Sequence, residues 1–232
     1  MHDSESLMRN FDPGQPLIFI HIPKTAGVSV RTVFQNWFRD RLKLHYYDEG
    51  RGQLPAKIDL QDPAFRTEPP VIYGHFNRLR QFGVPDYYPE ARQFVSFLRD
   101  PFDMHVSRYF FTQKSAQNWK RTSDVEGKGL HEHLESGHLN MLEHFPRPVT
   151  SSNFRGIIEE FFVDIGCFET LEASLKRIAA RLGLPAQDIQ LPHLNASKEA
   201  ETPMEEARAR FRERWPLEYE VYDYVRSLAP QR

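Results

Sequence analysis

Phe19-Ile20-His21-Ile22-Pro23-Lys24-Thr25-Ala26-Gly27-Val28-Ser29, continued by an apolar-striped run to Phe38, is the stretch that decides the fold. Residues 17 to 22 form a short apolar run of the kind found in buried parallel strands. From Val28 the period changes. Val30, Val33, Phe34, Trp37 and Phe38 fall at i, i+3, i+4, i+7 and i+8, which is one face of a helix. A strand therefore feeds a tight loop and the loop feeds a helix, the local order in which a backbone presents N–H groups and a helix dipole to a phosphate.

Outward from this stretch, further strands are expected at Val71-Ile72-Tyr73-Gly74-His75, at Phe94-Val95-Ser96-Phe97-Leu98 and at Phe161-Phe162-Val163-Asp164-Ile165-Gly166. Helices are expected between them. Asp100 is placed to cap one, with Pro101 at its first position. Leu171, Leu175, Ile178, Ala179 and Leu182 stripe another, which stops at Gly183. Residues 204 to 228 read as one or two more, whereas residues 40 to 70 read as irregular connections. Strands alternating with helices predict an α/β fold with a mostly parallel central sheet flanked by helices. A polar tail over residues 1–16 and a single domain over 17–232 are the expected organisation.

Composition narrows the function. With 30 Lys+Arg against 32 Asp+Glu the net charge is -2, so no global basic field points to nucleic acid and any anion site must be local. The single cysteine, Cys167, sits between apolar neighbours and reads as a buried structural thiol. Neither a signal peptide nor a span of roughly 18 apolar residues is present, which predicts a soluble, cytoplasmic chain. His131, His133, His138 and His144 lack the spacing of a helical metal site, and no metal is expected.

The loop holds the parts of a phosphate cradle in an unusual order. A Walker A loop ends in Gly-Lys-Ser/Thr, but here Lys24 opens the loop and Ser29 stands at the helix entrance. Backbone N–H groups from Thr25 through Ala26, Gly27, Val28 and Ser29 favour an anion, and the Thr25 and Ser29 hydroxyls can donate to its oxygens. Lys24 adds a full charge, worth about 4 kcal/mol at about 4 Å in an effective dielectric near 20. A capped helix beside a surface lysine accounts for the same residues without a ligand. A second constellation, Phe97-Leu98-Arg99-Asp100-Pro101-Phe102-Asp103-Met104-His105-Val106-Ser107, sets an arginine at a strand end and a serine on the following helix. A guanidinium fork and a hydroxyl suit a terminal phosphate monoester.

Together the two motifs resemble the sulfotransferase superfamily that uses 3′-phosphoadenosine 5′-phosphosulfate (PAPS), in particular its carbohydrate branch, which includes heparan sulfate 2-O-sulfotransferase. The first stretch is similar to that family's 5′-phosphosulfate loop, and Arg99 with Ser107 to its 3′-phosphate motif. Gly74-His75 falls where such enzymes often carry a Gly-His, and Val28 stands where they often have threonine. The resemblance implies a P-loop-like three-layer fold, PAPS as donor with 3′,5′-adenosine bisphosphate (PAP) as product, and no metal. Lys24 would act at the leaving oxygen, Thr25 to Ser29 would hold the 5′-phosphate, and Arg99 with Ser107 the 3′-phosphate.

The acceptor hydroxyl needs a base, and His75 is the candidate, although a histidine bonded within the sheet edge explains it equally. Glu169, Asp103 and His21 are lesser candidates. Asn195 and Ser197 are expected to close over the nucleotide, and Tyr46, Tyr47, Phe111 or Trp119 to stack on a sugar face. The leading expectation is transfer of a sulfuryl group to a hydroxyl, on a carbohydrate. A kinase-like phosphotransferase and a non-catalytic nucleotide- or glycan-binding module are the alternatives.

Overall fold

The computed structural model describes residues 8–48, 50–119, 127–186, 189 and 204–228, with backbone only for 116–119. Five parallel strands, β1 (Leu17–Ile20), β2 (Leu42–His45), β3 (Val71–Gly74), β4 (Phe94–Leu98) and β5 (Phe162–Cys167), form one sheet in the order β2-β3-β1-β4-β5. Alternation along the strands divides the core in two. Leu17, Phe19, Val71, Tyr73, Val95 and Phe97 pack on one face against α1 (Gly27–Phe38) and α6 (Leu171–Arg181). Ile18, Ile20, Ile72, Phe94 and Leu98 pack on the other. That second face is covered by α2 (Val84–Tyr87), α3 (Pro101–Trp119), α5 (Phe154–Phe161) and α8 (Pro216–Ser227). The result is the three-layer α/β arrangement expected, with α4 (Leu130–Ser136) and α7 (Glu205–Arg214) packed beside α3.

Two features depart from the sequence reading. Residues 42 to 45 are an edge strand and not an irregular connection. The segment has only four residues and leaves Leu44 half exposed, so it carries neither the apolar run nor the alternation that marks an inner strand. The register between β4 and β5 also shifts, with Phe94 opposite Phe162 but Val95 opposite Asp164. The extra residue lets Val163 join the α6-side core while the next side chain, Asp164, meets Arg177 of α6. Residues ahead of β1 dock on the sheet: Gln93 holds Asp12 by two hydrogen bonds of 2.6 and 2.9 Å, and Arg9 N–H donates to the Phe162 carbonyl at 3.1 Å.

This strand order places the candidate site. From β1 the chain runs out to the β2 edge and returns through β3, then crosses β1 to reach β4 and β5. The turns after β1, β3 and β4 therefore meet at the carboxyl ends of neighbouring strands, where open α/β sheets bind ligands. The turn after β1 leads to α1 on one face and the turn after β4 leads to α3 on the other.

Candidate active site

The turn after β1 is strained and closely held. Lys24 (φ 70°) and Ala26 (φ 65°) both adopt left-handed backbone, a conformation that costs a non-glycine residue about 1 kcal/mol or more. Several contacts fix it. The Thr25 hydroxyl donates to the Ile22 carbonyl at 2.8 Å and is buried, Arg99 donates to the Lys24 carbonyl at 3.2 Å, and Tyr73 donates to the Gly27 carbonyl at 2.6 Å. Gly27 is required by close approach, because a Cβ there would lie 1.7 Å from Nε2 of His21. The strain ends in an open helix terminus. Ala26 at the N-cap provides no side-chain cap, the first turn of α1 carries no acidic residue, and Val28 in that turn is 68% exposed. The N–H groups of Gly27, Val28 and Ser29 have no partner further back in the helix, so the loop offers an anion the donors and dipole it needs. Ser29 is half-buried in the same turn.

Arg99 ties this loop to the end of β4. Its guanidinium lies 4.3 Å from the Phe168 ring centroid as well as 3.2 Å from the Lys24 carbonyl, and burial pushes its pKa down while Asp103, Glu169 and Asp100 push it up. Those carboxylates are engaged. Asp100 caps α3 by accepting the Asp103 N–H at 3.0 Å, and Arg208 of α7 bonds Asp100 at 2.7 Å and also Asp103. Glu169 accepts the Asp100 N–H at 2.8 Å. Ser107 lies two turns along α3, half-buried and one turn beyond Asp103. The loop, Arg99 and Ser107 thus provide an arginine and two helix starts at adjacent strand ends.

On the other side of Lys24 lies a cavity of about 400 Å³, lined by Lys24, His75, Arg80, Arg108, Phe111 and Asn140 among others. The Lys24 ammonium rests 4.1 Å from the Phe111 ring centroid. His75 donates from Nδ1 to the His21 carbonyl at 2.8 Å, since a carbonyl can only accept, and this leaves Nε2 of the neutral ring as the basic nitrogen. His21 supports it: the two rings stack at 4.3 Å, and His21 Nδ1 lies 3.0 Å from the Tyr46 hydroxyl. Burial, then His75, His144, Arg31 and Lys24, hold His21 well below the usual imidazole range. His144, in the cavity wall, is pushed down to about 3 by burial and the neighbouring His75, and His105 to about 4 by burial and His133.

The sequence-predicted residues therefore divide between two linked places. Lys24 and His75 share the cavity, whereas Arg99, at the end of β4, meets the loop through the Lys24 carbonyl. Of the lesser candidates for the base, His21 is pinned under Gly27, Asp103 is held by Arg208, and Glu169 is bonded to Asp100. Tyr47 and Phe111 line the cavity and Tyr46 bonds His21, while Asn195, Ser197 and the Trp119 side chain lie outside the described residues. Arg80 and Arg108 were not singled out from sequence, and His144 was named there only as part of the histidine-rich run. Arg108 was findable, because Met104, His105, Arg108, Phe111 and Thr112 fall on one helical face separate from that of Asp103 and Ser107. Among the described residues no group of three His, Cys, Asp or Glu side chains is placed to hold a metal ion. No described helix is long and apolar enough to cross a membrane.

Solved structures share this architecture. Mouse sulfotransferase SULT7A1, complexed with PAP, superposes with a TM-score of 0.52 at 16% identity, over 97% of this chain and 92% of that one. The fold is the sulfotransferase fold. A sulfotransferase from Alicyclobacillus acidocaldarius aligns over 93% of this chain and 96% of its own with a TM-score of 0.47 and 10% identity. No family model matches the chain, and no curated protein matches it in sequence. The strained loop, the open start of α1 and Arg99 present hydrogen-bond donors at adjacent strand ends, and the adjoining cavity holds Lys24 and the imidazole of His75.

Proposed function

We propose that this protein is a sulfotransferase that uses PAPS and moves its sulfuryl group to a hydroxyl of a carbohydrate. The observation that carries this reading is the uncapped start of α1 behind left-handed Lys24 and Ala26, bonded through the Lys24 carbonyl to Arg99. The N–H groups of Gly27, Val28 and Ser29 would hold the 5′-phosphate. Thr25 serves by closing the loop with its hydroxyl, and Arg99 with Ser107 would hold the 3′-phosphate. When bound, PAPS supplies an activated sulfuryl group on a phosphate leaving group.

The residues of the chain then divide the remaining work. Lys24 brings a positive charge to the boundary between loop and cavity, where it stabilises negative charge that grows during transfer more than charge already present. His75, held by its Nδ1–H to the His21 carbonyl, takes the acceptor proton at Nε2. Tyr47, Phe82 and Phe111 offer ring faces, and Asn77, Asn140 and Thr112 offer hydrogen bonds, a combination suited to a sugar.

The test is release of PAP and transfer of labelled sulfur from PAPS to a panel of saccharides, with matched nucleotide-binding measurements. Lys24→Ala should abolish turnover, and His75→Ala should lower it by about 10²–10⁴ while PAP still binds. A turnover near wild type in Lys24→Ala contradicts the mechanism.

A further inference from the structure

A second cavity, of about 220 Å³, adjoins the first. The two share Leu139, and the turn after β3 and the segment 139–144 divide them: Arg80, Asn140 and His144 line the Lys24 side, whereas Arg78, Leu142 and Glu143 line the other. The second cavity is closed by Trp215, which precedes α8, and by Glu218 in the first turn of that helix. Leu142, Val149 and Leu217 give it an apolar wall.

Two polar atoms of this lining are buried with no hydrogen-bond partner among the described residues, Oε2 of Glu218 and Nε1 of Trp215. Glu218 is only 6% exposed, and its carboxyl is bonded from one side by the Leu142 backbone. Folded proteins leave few such atoms unbonded, because each forfeits its bonds to water without replacement. A ligand that bonds both must accept from the indole N–H, which can only donate, and must engage the free oxygen of the carboxyl. Charge narrows the choice. Arg78 donates to Glu143 from Nε at 3.1 Å and from Nη2 at 2.7 Å, so that pair neutralises itself. What remains is the Glu218 carboxyl and the exposed Arg214, whose guanidinium lies 5.4 Å from the Trp215 ring centroid.

We propose that this cavity binds a small α-amino acid with an apolar side chain, its ammonium on Glu218 and its carboxylate on Trp215 Nε1 and Arg214. In the empty cavity burial raises the Glu218 carboxyl to about 8, so it holds a proton at pH 7; an ammonium placed beside it favours the carboxylate, and that proton passes to solvent. The amino acid's carboxylate takes the indole N–H and a charge-assisted bond from the guanidinium. Leu142, Val149 and Leu217 meet its side chain. The volume lies below that of drug-sized sites, in keeping with one small molecule. The site is separate from the nucleotide loop and stands whether or not PAP binds.

The experiment follows the Trp215 indole N–H in a proton–nitrogen correlation spectrum. The chain has three tryptophans, so Trp215→Phe assigns the peak or, should that variant not fold, Trp37→Phe and Trp119→Phe assign it by elimination. The ligands are L-leucine, isocaproate, isoamylamine and isoamyl alcohol, which share the branched side chain and differ in the charged groups. Leucine should move the Trp215 peak and bind about tenfold or more tightly than each of the other three, since only it places a charge on both partners. Glu218→Gln should bring leucine to within about twofold of isocaproate, and Arg214→Gln should weaken leucine severalfold, less because that arginine is exposed. A Trp215 peak unmoved by leucine up to about 10 mM overturns the proposal. So does an alcohol, amine or acid that binds as tightly as leucine, and so does a leucine-to-isocaproate ratio unchanged in Glu218→Gln. The ligand series on the wild-type chain decides the matter even if a variant does not fold.

Discussion

Gly27→Ala tests how the start of α1 is fitted against the sheet. The new methyl would lie 1.7, 1.9 and 2.3 Å from Nε2, Cδ2 and Cε1 of His21, inside the space of the ring. His21 cannot shift as a unit: its N–H donates to the Gly74 carbonyl at 2.8 Å, its carbonyl accepts from His75, and its Nδ1 pairs with the Tyr46 hydroxyl. Either the ring swings away or α1 lifts. Swinging the ring loses a hydrogen bond of about 0.5–1.5 kcal/mol and the stacking on His75, whereas lifting the helix carries an overpacking cost of about 1–3 kcal/mol. Alanine's better helix propensity returns up to about 1 kcal/mol. The net expectation is a loss of about 0–3 kcal/mol, or at most roughly 12 °C in Tm for a chain of this size. Urea denaturation of Gly27→Ala, alone and with His21→Ala, measures it. With the ring removed the methyl has room, so the pair should couple by at least about 1 kcal/mol. An equal effect of the methyl in both backgrounds refutes the account of this contact.

Three further outcomes follow from buried groups. Burial, with a smaller push from Glu143, raises the Glu218 carboxyl from 4.5 to about 8, so the folded chain keeps a proton that the unfolded chain releases above pH 4.5. Its contribution is full below pH 4.5 and falls as pH rises to about 8, by at most about 5 kcal/mol; Glu218→Gln should flatten the fall of Tm over that window, and parallel curves would contradict it. Arg177 grips the fully buried Asp164 with bonds of 2.9 and 2.8 Å, so Arg177→Ala should lower stability by about 3–5 kcal/mol in urea titration, and a loss under about 1 kcal/mol would show that Asp164 finds another partner. Burial, aided by Glu169, pushes the Cys167 thiol up to about 12, so iodoacetamide at pH 8 should label the protein only after denaturation, and rapid labelling of the folded chain would contradict the burial.

The elements most legible in the sequence are those whose signals are local. The apolar run at residues 17 to 22 and the stripe from Val30 to Phe38 became β1 and α1, and Asp100-Pro101 starts α3 as its capping chemistry implies. Edge strand β2 was illegible because four residues at a sheet margin carry little pattern, and the β4–β5 bulge because register depends on the neighbouring strand. Within the candidate site, Lys24 and His75 were chosen from sequence and do share a cavity. The role of Thr25 as a loop closer was not legible, because its hydroxyl could be assigned to Ile22 only once the turn had a shape. The same holds for His21, whose packing on Gly27 and stacking on His75 join residues that the sequence separates. Arg80 joins Arg108 only through the meeting of the β3 turn with α3.

The central claim is that the loop after β1 and Arg99 form one site for a nucleotide with phosphates at both 3′ and 5′ positions. Calorimetric binding of PAP, AMP and ATP, the last with and without magnesium, tests it most directly. The account predicts that PAP binds at least about tenfold more tightly than AMP, that Arg99→Ala removes most of that difference, and that magnesium is not needed. ATP binding equal to or tighter than PAP would contradict it.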